Sequence, residues 1–282
     1  MKWDWNYGHI HGLCRQTDAV PCLPFLHTNR PDIMTTTPRS SALRTAPLVL
    51  LLALSGCAMW GGESLDAARA QATPLATAAS ADTRVSREGD AILYEGYLSA
   101  EANEAARALH DAGVKRLVID SRGGEINLGM DLGEWVFANG LDVEIGSECL
   151  SSCVNYVFPA GRQKLLGASS QLAWHGGAFQ DSESMLQNPS AEEAAAYAAY
   201  IDPARERETA YFTRLGVDPR STIEGQRPEY ARHAHCAGWR YSLDAMAQLG
   251  IRNVHVTAAS WQPTDLVDEK CIFVIYRLAP TP

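Results

Sequence analysis

From Ala91 onward, short apolar runs alternate with segments whose apolar residues recur at helical spacing. Residues 91–97 contain a short β-like run, and residues 116–120, Arg-Leu-Val-Ile-Asp, read as an apolar strand. Between them Ala102, Ala105, Ala106 and Leu109 fall at i, i+3, i+4 and i+7, one stripe of an amphipathic helix that Gly113 ends. The chain turns at Ser121-Arg122-Gly123-Gly124 and enters a second helical segment, residues 127–138, with Leu128, Met130, Leu132, Trp135 and Val136 as packing side chains. Residues 141–145 form the next expected strand, and residues 191–215 are helical in composition. Strands that alternate with helices imply βαβ units, hence an α/β fold with a largely parallel sheet. In such sheets, sites form outside the carboxyl ends of the strands, which is where Gly123 and Gly124 are expected.

Upstream the pattern changes. Residues 45–57 are mostly apolar, with Arg39 and Arg44 ahead of them; the run is too short to span a bilayer as a helix and fits a signal h-region. It ends in Leu54-Ser55-Gly56-Cys57, which resembles the bacterial lipobox. On that resemblance Cys57 is lipidated and becomes the first mature residue, and Ala58 after it favours outer-membrane over inner-membrane retention. The competing reading is a buried core segment. Met34 stands where an ordinary n-region begins, so residues 1–33 read as an over-extended start. Residues 58–88, rich in Ala, Ser and Thr, read as a tether. The expected organisation is a signal region at 1–56, a tether at 57–88, a folded domain at 89–258 and a C-terminal extension with a strand at 259–282.

The formal net charge of −9 and the pI of about 5.4 offer no broad basic surface, so nucleic acid is not an expected partner. With Cys14, Cys22 and Cys57 set aside, four of the seven cysteines remain: Cys149, Cys153, Cys236 and Cys271. In an oxidising compartment that even count suggests up to two disulfides, with three pairings open; reduced core cysteines are the alternative. The CxxxC spacing of Cys149 and Cys153 is of no standard zinc type, so no metal is expected, and no motif calls for a cofactor.

Candidate chemistry gathers in three segments. Cys149-Leu150-Ser151-Ser152-Cys153 opens an apolar stretch, Gly123-Gly124 precedes it, and His175 follows it. A serine hydroxyl is a weak nucleophile that needs a base in reach, and the oxygen that becomes negative needs preorganised N–H donors. Each residue also has a plainer role. Ser151 and Ser152 are suited to capping the following helix, His175 to a half-buried core position, Gly123-Gly124 to an ordinary turn, and Cys149 with Cys153 to packing one helical turn apart.

In their order these parts resemble the Clp protease and crotonase superfamily, specifically its secreted Clp-protease-like branch. The resemblance rests on residues 118–124 (Val-Ile-Asp-Ser-Arg-Gly-Gly), residues 149–161 and residues 172–175 (Leu-Ala-Trp-His). Ser151 precedes Gly161 by 10 residues and His175 follows Ser151 by 24, both close to the family spacing. The resemblance implies a spiral of βαβ units, with Ser151 as nucleophile, Ser152 as runner-up and His175 as general base. It also implies an oxyanion hole of backbone N–H groups at Gly123, Gly124 and Ser152. Counted back from the closing helix at 242–250, the family's acid falls near Cys236-Ala237-Gly238, where no acid stands; counted forward from His175 it falls nearer Glu224, with Glu229 as a second candidate. In the family the arm at 191–215 supports oligomer contacts, and residues 251–256 match the strand after the closing helix.

The expected function is therefore a serine hydrolase on the periplasmic side of the envelope, anchored by lipid, with peptide or protein as substrate and homo-oligomer formation in view. The alternative keeps the same fold as a catalytically silent binding or scaffold lipoprotein. Acyl-CoA chemistry of the crotonase type fares worse, because an exported domain does not meet that cofactor.

Overall fold

The computed structural model describes residues 83–180 and 189–279; the expected signal region and lipidation residue Cys57 lie outside them. Six strands come first: β1 (Arg84–Glu88), β2 (Ala91–Glu95), β3 (Arg116–Ser121), β4 (Asp142–Leu150), β5 (Lys164–Leu166) and β6 (Gln171–Ala173). Later in the chain are β7 (Gly238–Tyr241), β8 (Val254–Val256), β9 (Leu266–Val267) and β10 (Lys270–Ile275). The main sheet runs β1-β2-β3-β4-β5-β8, with β6 paired to the carboxyl end of β4. Apart from the antiparallel β1–β2 pair, its neighbours are parallel. This is the largely parallel α/β architecture that the alternation of elements predicts.

Inward-facing side chains on alternate positions explain the central strands. Ile92 and Tyr94 on β2, Leu117 and Ile119 on β3, and Val143 and Ile145 on β4 are buried. β4 runs five residues beyond the expected end at Ile145, through exposed Gly146 and Ser147, and its pairing with β3 shifts register between Ile119 and Ser121. That continuation carries the ladder to Cys149, which pairs with Ser121 on one side and Leu172 on the other.

One element crosses a boundary of the sequence reading, and the C-terminal extension holds a second strand beside the one expected. β1 falls in the stretch expected as tether. Its residues, Arg-Val-Ser-Arg-Glu, are mostly exposed, so backbone pairing to β2 rather than an apolar face holds it. The C-terminal extension carries β9 and β10, which join β7 in a separate sheet of order β7-β10-β9. This sheet docks on the main one through Trp174 and Trp239, which exchange N–H···O bonds of 2.8 and 2.9 Å; both indoles are fully buried.

Four of the five α helices described open on a side-chain cap. In α1 (Ala100–Ala108) the Ser99 hydroxyl accepts from Ala102 N, and α2 (Ile126–Ala138) begins with the Glu125 side chain accepting from Leu128 N. The serine-bearing helix, α3, is a π turn (Cys153–Val157) continued by an α turn (Phe158–Ala160). α4 (Ala191–Leu215) opens with a Ser190–Glu193 capping box, and α5 (Leu243–Gln248) with Ser242. α2 lies close against α3 because Gly129 and Gly133 carry no side chain. A Cβ there would come within 2.9 Å of Ser152 Cβ and 2.6 Å of Tyr156 O respectively. Among the described residues, no helix is long and apolar enough to cross a membrane.

Candidate active site

Ser151 sits in the sharp turn between β4 and α3 with φ +55°, in the left-handed region that serine seldom adopts. Its N–H donates to Ala173 O of β6 at 3.0 Å, and its carbonyl accepts from Asn155 N at 2.9 Å. Held this way, its hydroxyl lies 2.7 Å from His175 Nε2. Strained strand-to-helix turns of this kind project a nucleophile away from the sheet.

The neighbouring serine is used differently. Ser152 is buried and its hydroxyl donates to Gly124 O at 2.7 Å. No side chain caps the start of α3, so neither serine fills the plainer capping role open to it. Ser151 is partly exposed and faces a base; Ser152 fastens the glycine turn to the helix.

Gly123 has φ +92°, and a Cβ there would lie 2.6 Å from Leu150 O, 2.8 Å from Ser151 Cβ and 2.9 Å from Ser152 N. Only glycine leaves that space open. Its own N–H donates to Ser121 Oγ at 3.1 Å. Among the described residues no hydrogen bond runs from the Gly124 or the Ser152 N–H, which leaves both available to a developing oxyanion. Arg122 in the same turn forms an ion pair with Asp268 in the β9–β10 turn and lies 3.9 Å from Glu148, which ties the turn to the C-terminal extension.

His175 follows β6, next to the Trp174 bridge. Gln226 Nε2 donates to its carbonyl at 2.8 Å, and Asn155 Nδ2 donates to Gly176 O at 2.6 Å. The loop beyond is fastened by Glu208 of α4, which is fully buried and accepts from Ala178 N at 2.6 Å, Tyr156 Oη at 3.1 Å and Thr222 Oγ1 at 3.0 Å. One carboxyl group thus joins the histidine loop to the serine helix. Its burial raises its pKa, and the three donors oppose that rise.

Burial lowers the His175 pKa to about 4, with a backbone hydrogen bond acting in the opposite sense. The ring is therefore neutral at pH 7, able to accept the Ser151 proton at Nε2. The acid limb of any Ser151-dependent activity is expected near pH 4, with a flat profile through neutrality, measurable as kcat/KM against pH. An unperturbed histidine would place that limb near 6.5. Linkage gives the matching stability trend: a depressed histidine pKa favours the fold fully above 6.5, and that contribution is lost as pH falls towards about 4.

The two carboxylates considered for a third catalytic position have other partners. Glu224 is fully buried, accepts from Ala279 N at 2.9 Å and lies 3.8 Å from Arg227. Glu229 pairs with Arg227 at 2.8 Å. Among the described residues, neither carboxylate hydrogen-bonds His175.

Both disulfides are formed, as Cys149–Cys153 and Cys236–Cys271. His235 lies near the second pair, within a 4.8 Å cluster of donor atoms. Those sulfurs are bonded to each other and cannot act as thiolate ligands.

Sequence reading missed the residues that hold the site. Glu208 shares the buried stripe of α4 with Ile201, Ala204, Tyr211 and Phe212, and an acid on an apolar stripe is a signal that was open to notice. Asn155, inside the apolar run Val154-Asn155-Tyr156-Val157, is a signal of the same kind. Ser121 and Gln226 carried none, because their partners are backbone atoms distant in sequence or set by a local turn.

No family model matches the chain, and no curated protein does. Among solved structures it is similar to methylmalonyl CoA decarboxylase complexed with 2S-carboxypropyl CoA, with a TM-score of 0.26 and 8% identity. The likeness covers 32% of this chain and 48% of that one, so the chain spans about half the length of that structure. So distant a likeness leaves the function to be argued from the site itself.

Proposed function

We propose that the protein is a serine hydrolase working through a Ser151–His175 pair, acting on peptide bonds. The observation that carries this reading is the 2.7 Å approach of Ser151 Oγ to His175 Nε2. In the first half-reaction Ser151 Oγ attacks the substrate carbonyl carbon while His175 Nε2 takes the hydroxyl proton. The carbonyl oxygen becomes negative beside the Gly124 and Ser152 N–H groups, and His175 then protonates the departing amine. Water, deprotonated by the same ring, hydrolyses the acyl-enzyme and restores the serine.

Peptide as the substrate class follows from the resemblance to the secreted Clp-protease-like branch, as does assembly into homo-oligomers through α4. Placement on the periplasmic side of the envelope, with Cys57 as lipid anchor, is supported by the lipobox-like run and by two disulfides, which persist in oxidising compartments. An active-site-directed fluorophosphonate is expected to modify the wild-type protein and to react far more slowly with His175→Ala. A natively folded wild type inert to the reagent would favour the scaffold reading.

A further inference from the structure

The Cys149–Cys153 bond spans the nucleophile. Cys149 is the last residue but one of β4 and Cys153 the first of the π turn, so the sulfur bridge closes a ring around Leu150, Ser151 and Ser152. Both cysteines are fully buried. Inside that ring lies Ser151 at φ +55°, a backbone state that relaxes unless its surroundings hold it. A bridge across four residues restricts the unfolded chain much less than the Cys236–Cys271 bridge across 35. The short bridge is thus poorly suited to global stabilisation and well suited to fixing a local turn.

We infer that the Cys149–Cys153 disulfide is the positioning group of the nucleophile, and that the Ser151 hydroxyl meets His175 productively only once this bond has formed. The inference rests on the hydrolase reading and adds a condition to it: the chain is competent only when the bond has formed before the turn closes over two cysteines that the folded chain buries fully. In that step the Cys149 and Cys153 thiols lose two protons and two electrons and join as a disulfide; a small-molecule or protein disulfide takes them up and leaves as two thiols. A hydrolase so arranged stays silent in a reducing compartment and is switched on in an oxidising one.

The test compares full-length wild type with Cys149→Ala/Cys153→Ala and, as a control, Cys236→Ala/Cys271→Ala, each checked for cooperative urea unfolding. Fluorophosphonate labelling is expected to slow on the order of 10²-fold in the first variant, the scale of an ångström-level misplacement of a reacting group. The control is expected to label at the wild-type rate while unfolding at lower urea. Labelling of the Cys149→Ala/Cys153→Ala protein at the wild-type rate would overturn the inference. Should that variant not fold, the Cys236→Ala/Cys271→Ala protein treated with a phosphine reductant, its free thiols counted by alkylation and mass spectrometry, answers the same question, because Cys149–Cys153 is the described disulfide it still holds. If wild type itself does not label, the hydrolase reading fails separately. The His175 ring ¹⁵N shifts then decide the positioning: a change on loss of the bond supports it, and unchanged shifts overturn it.

Discussion

Ser151→Ala is expected to lower hydrolytic turnover by roughly 10⁴-fold or more while leaving the fold intact, because the bond-forming atom is lost and only binding and oxyanion stabilisation remain. Little stability should go with it. Ser151 is partly exposed, and alanine at φ +55° meets a strain similar to that of serine. Ser152→Ala makes the informative contrast. It removes a buried hydroxyl that donates to Gly124 O at 2.7 Å, so it should cost about 1–3 kcal/mol of stability and far less activity than loss of Ser151. Turnover of a chromogenic ester or peptide by the two variants, with urea unfolding alongside, checks the pair. A reversed order would assign the nucleophile to Ser152.

Gly123→Ala should damage both the stability and the chemistry of this site. The new Cβ would be forced to within 2.6 Å of Leu150 O and 2.9 Å of Ser152 N, both backbone atoms with little freedom to withdraw. It would also stand at φ +92°, outside the region open to alanine. Overpacking and strain together suggest a loss on the order of 3 kcal/mol. The methyl also occupies the space in front of the Ser152 N–H. Loss of one oxyanion donor alone costs about 10²–10³ in kcat, so turnover should fall at least that far even in the fraction that stays folded. Stability and kcat measured on the same preparation separate the two effects. A variant with wild-type kcat would show that the Ser152 N–H takes no part.

The parts of this molecule legible in its sequence are those with an apolar rhythm. Leu117 and Ile119 announced β3, and α4 has the bounds 191–215 that its composition suggested. β1 had no such rhythm, since its exposed side chains say nothing about a strand held by backbone pairing. β7, Gly-Trp-Arg-Tyr, follows a histidine-rich loop and is completed by the parallel partner β10, thirty or more residues away. For the site, the order glycine turn, serine helix, histidine strand led to Ser151 and His175. Nothing local could show that β6 returns to pair with the end of β4, which is what brings the two side chains together. The disulfide pairing was hidden for the same reason. The search for an acid went to Glu224 by counting along the chain, with Glu229 beside it, whereas the contact of Glu224 with Ala279 depends on where the chain's end packs and Glu229 is taken up by its near neighbour Arg227.

The central claim is that Ser151, activated by His175, is the reacting group. Peptide mapping by mass spectrometry of the oxidised, natively folded protein after fluorophosphonate treatment tests this most directly. A single phosphonyl adduct on Ser151, absent after His175→Ala, is the predicted result. An adduct on Ser152, or none on either serine, would contradict it.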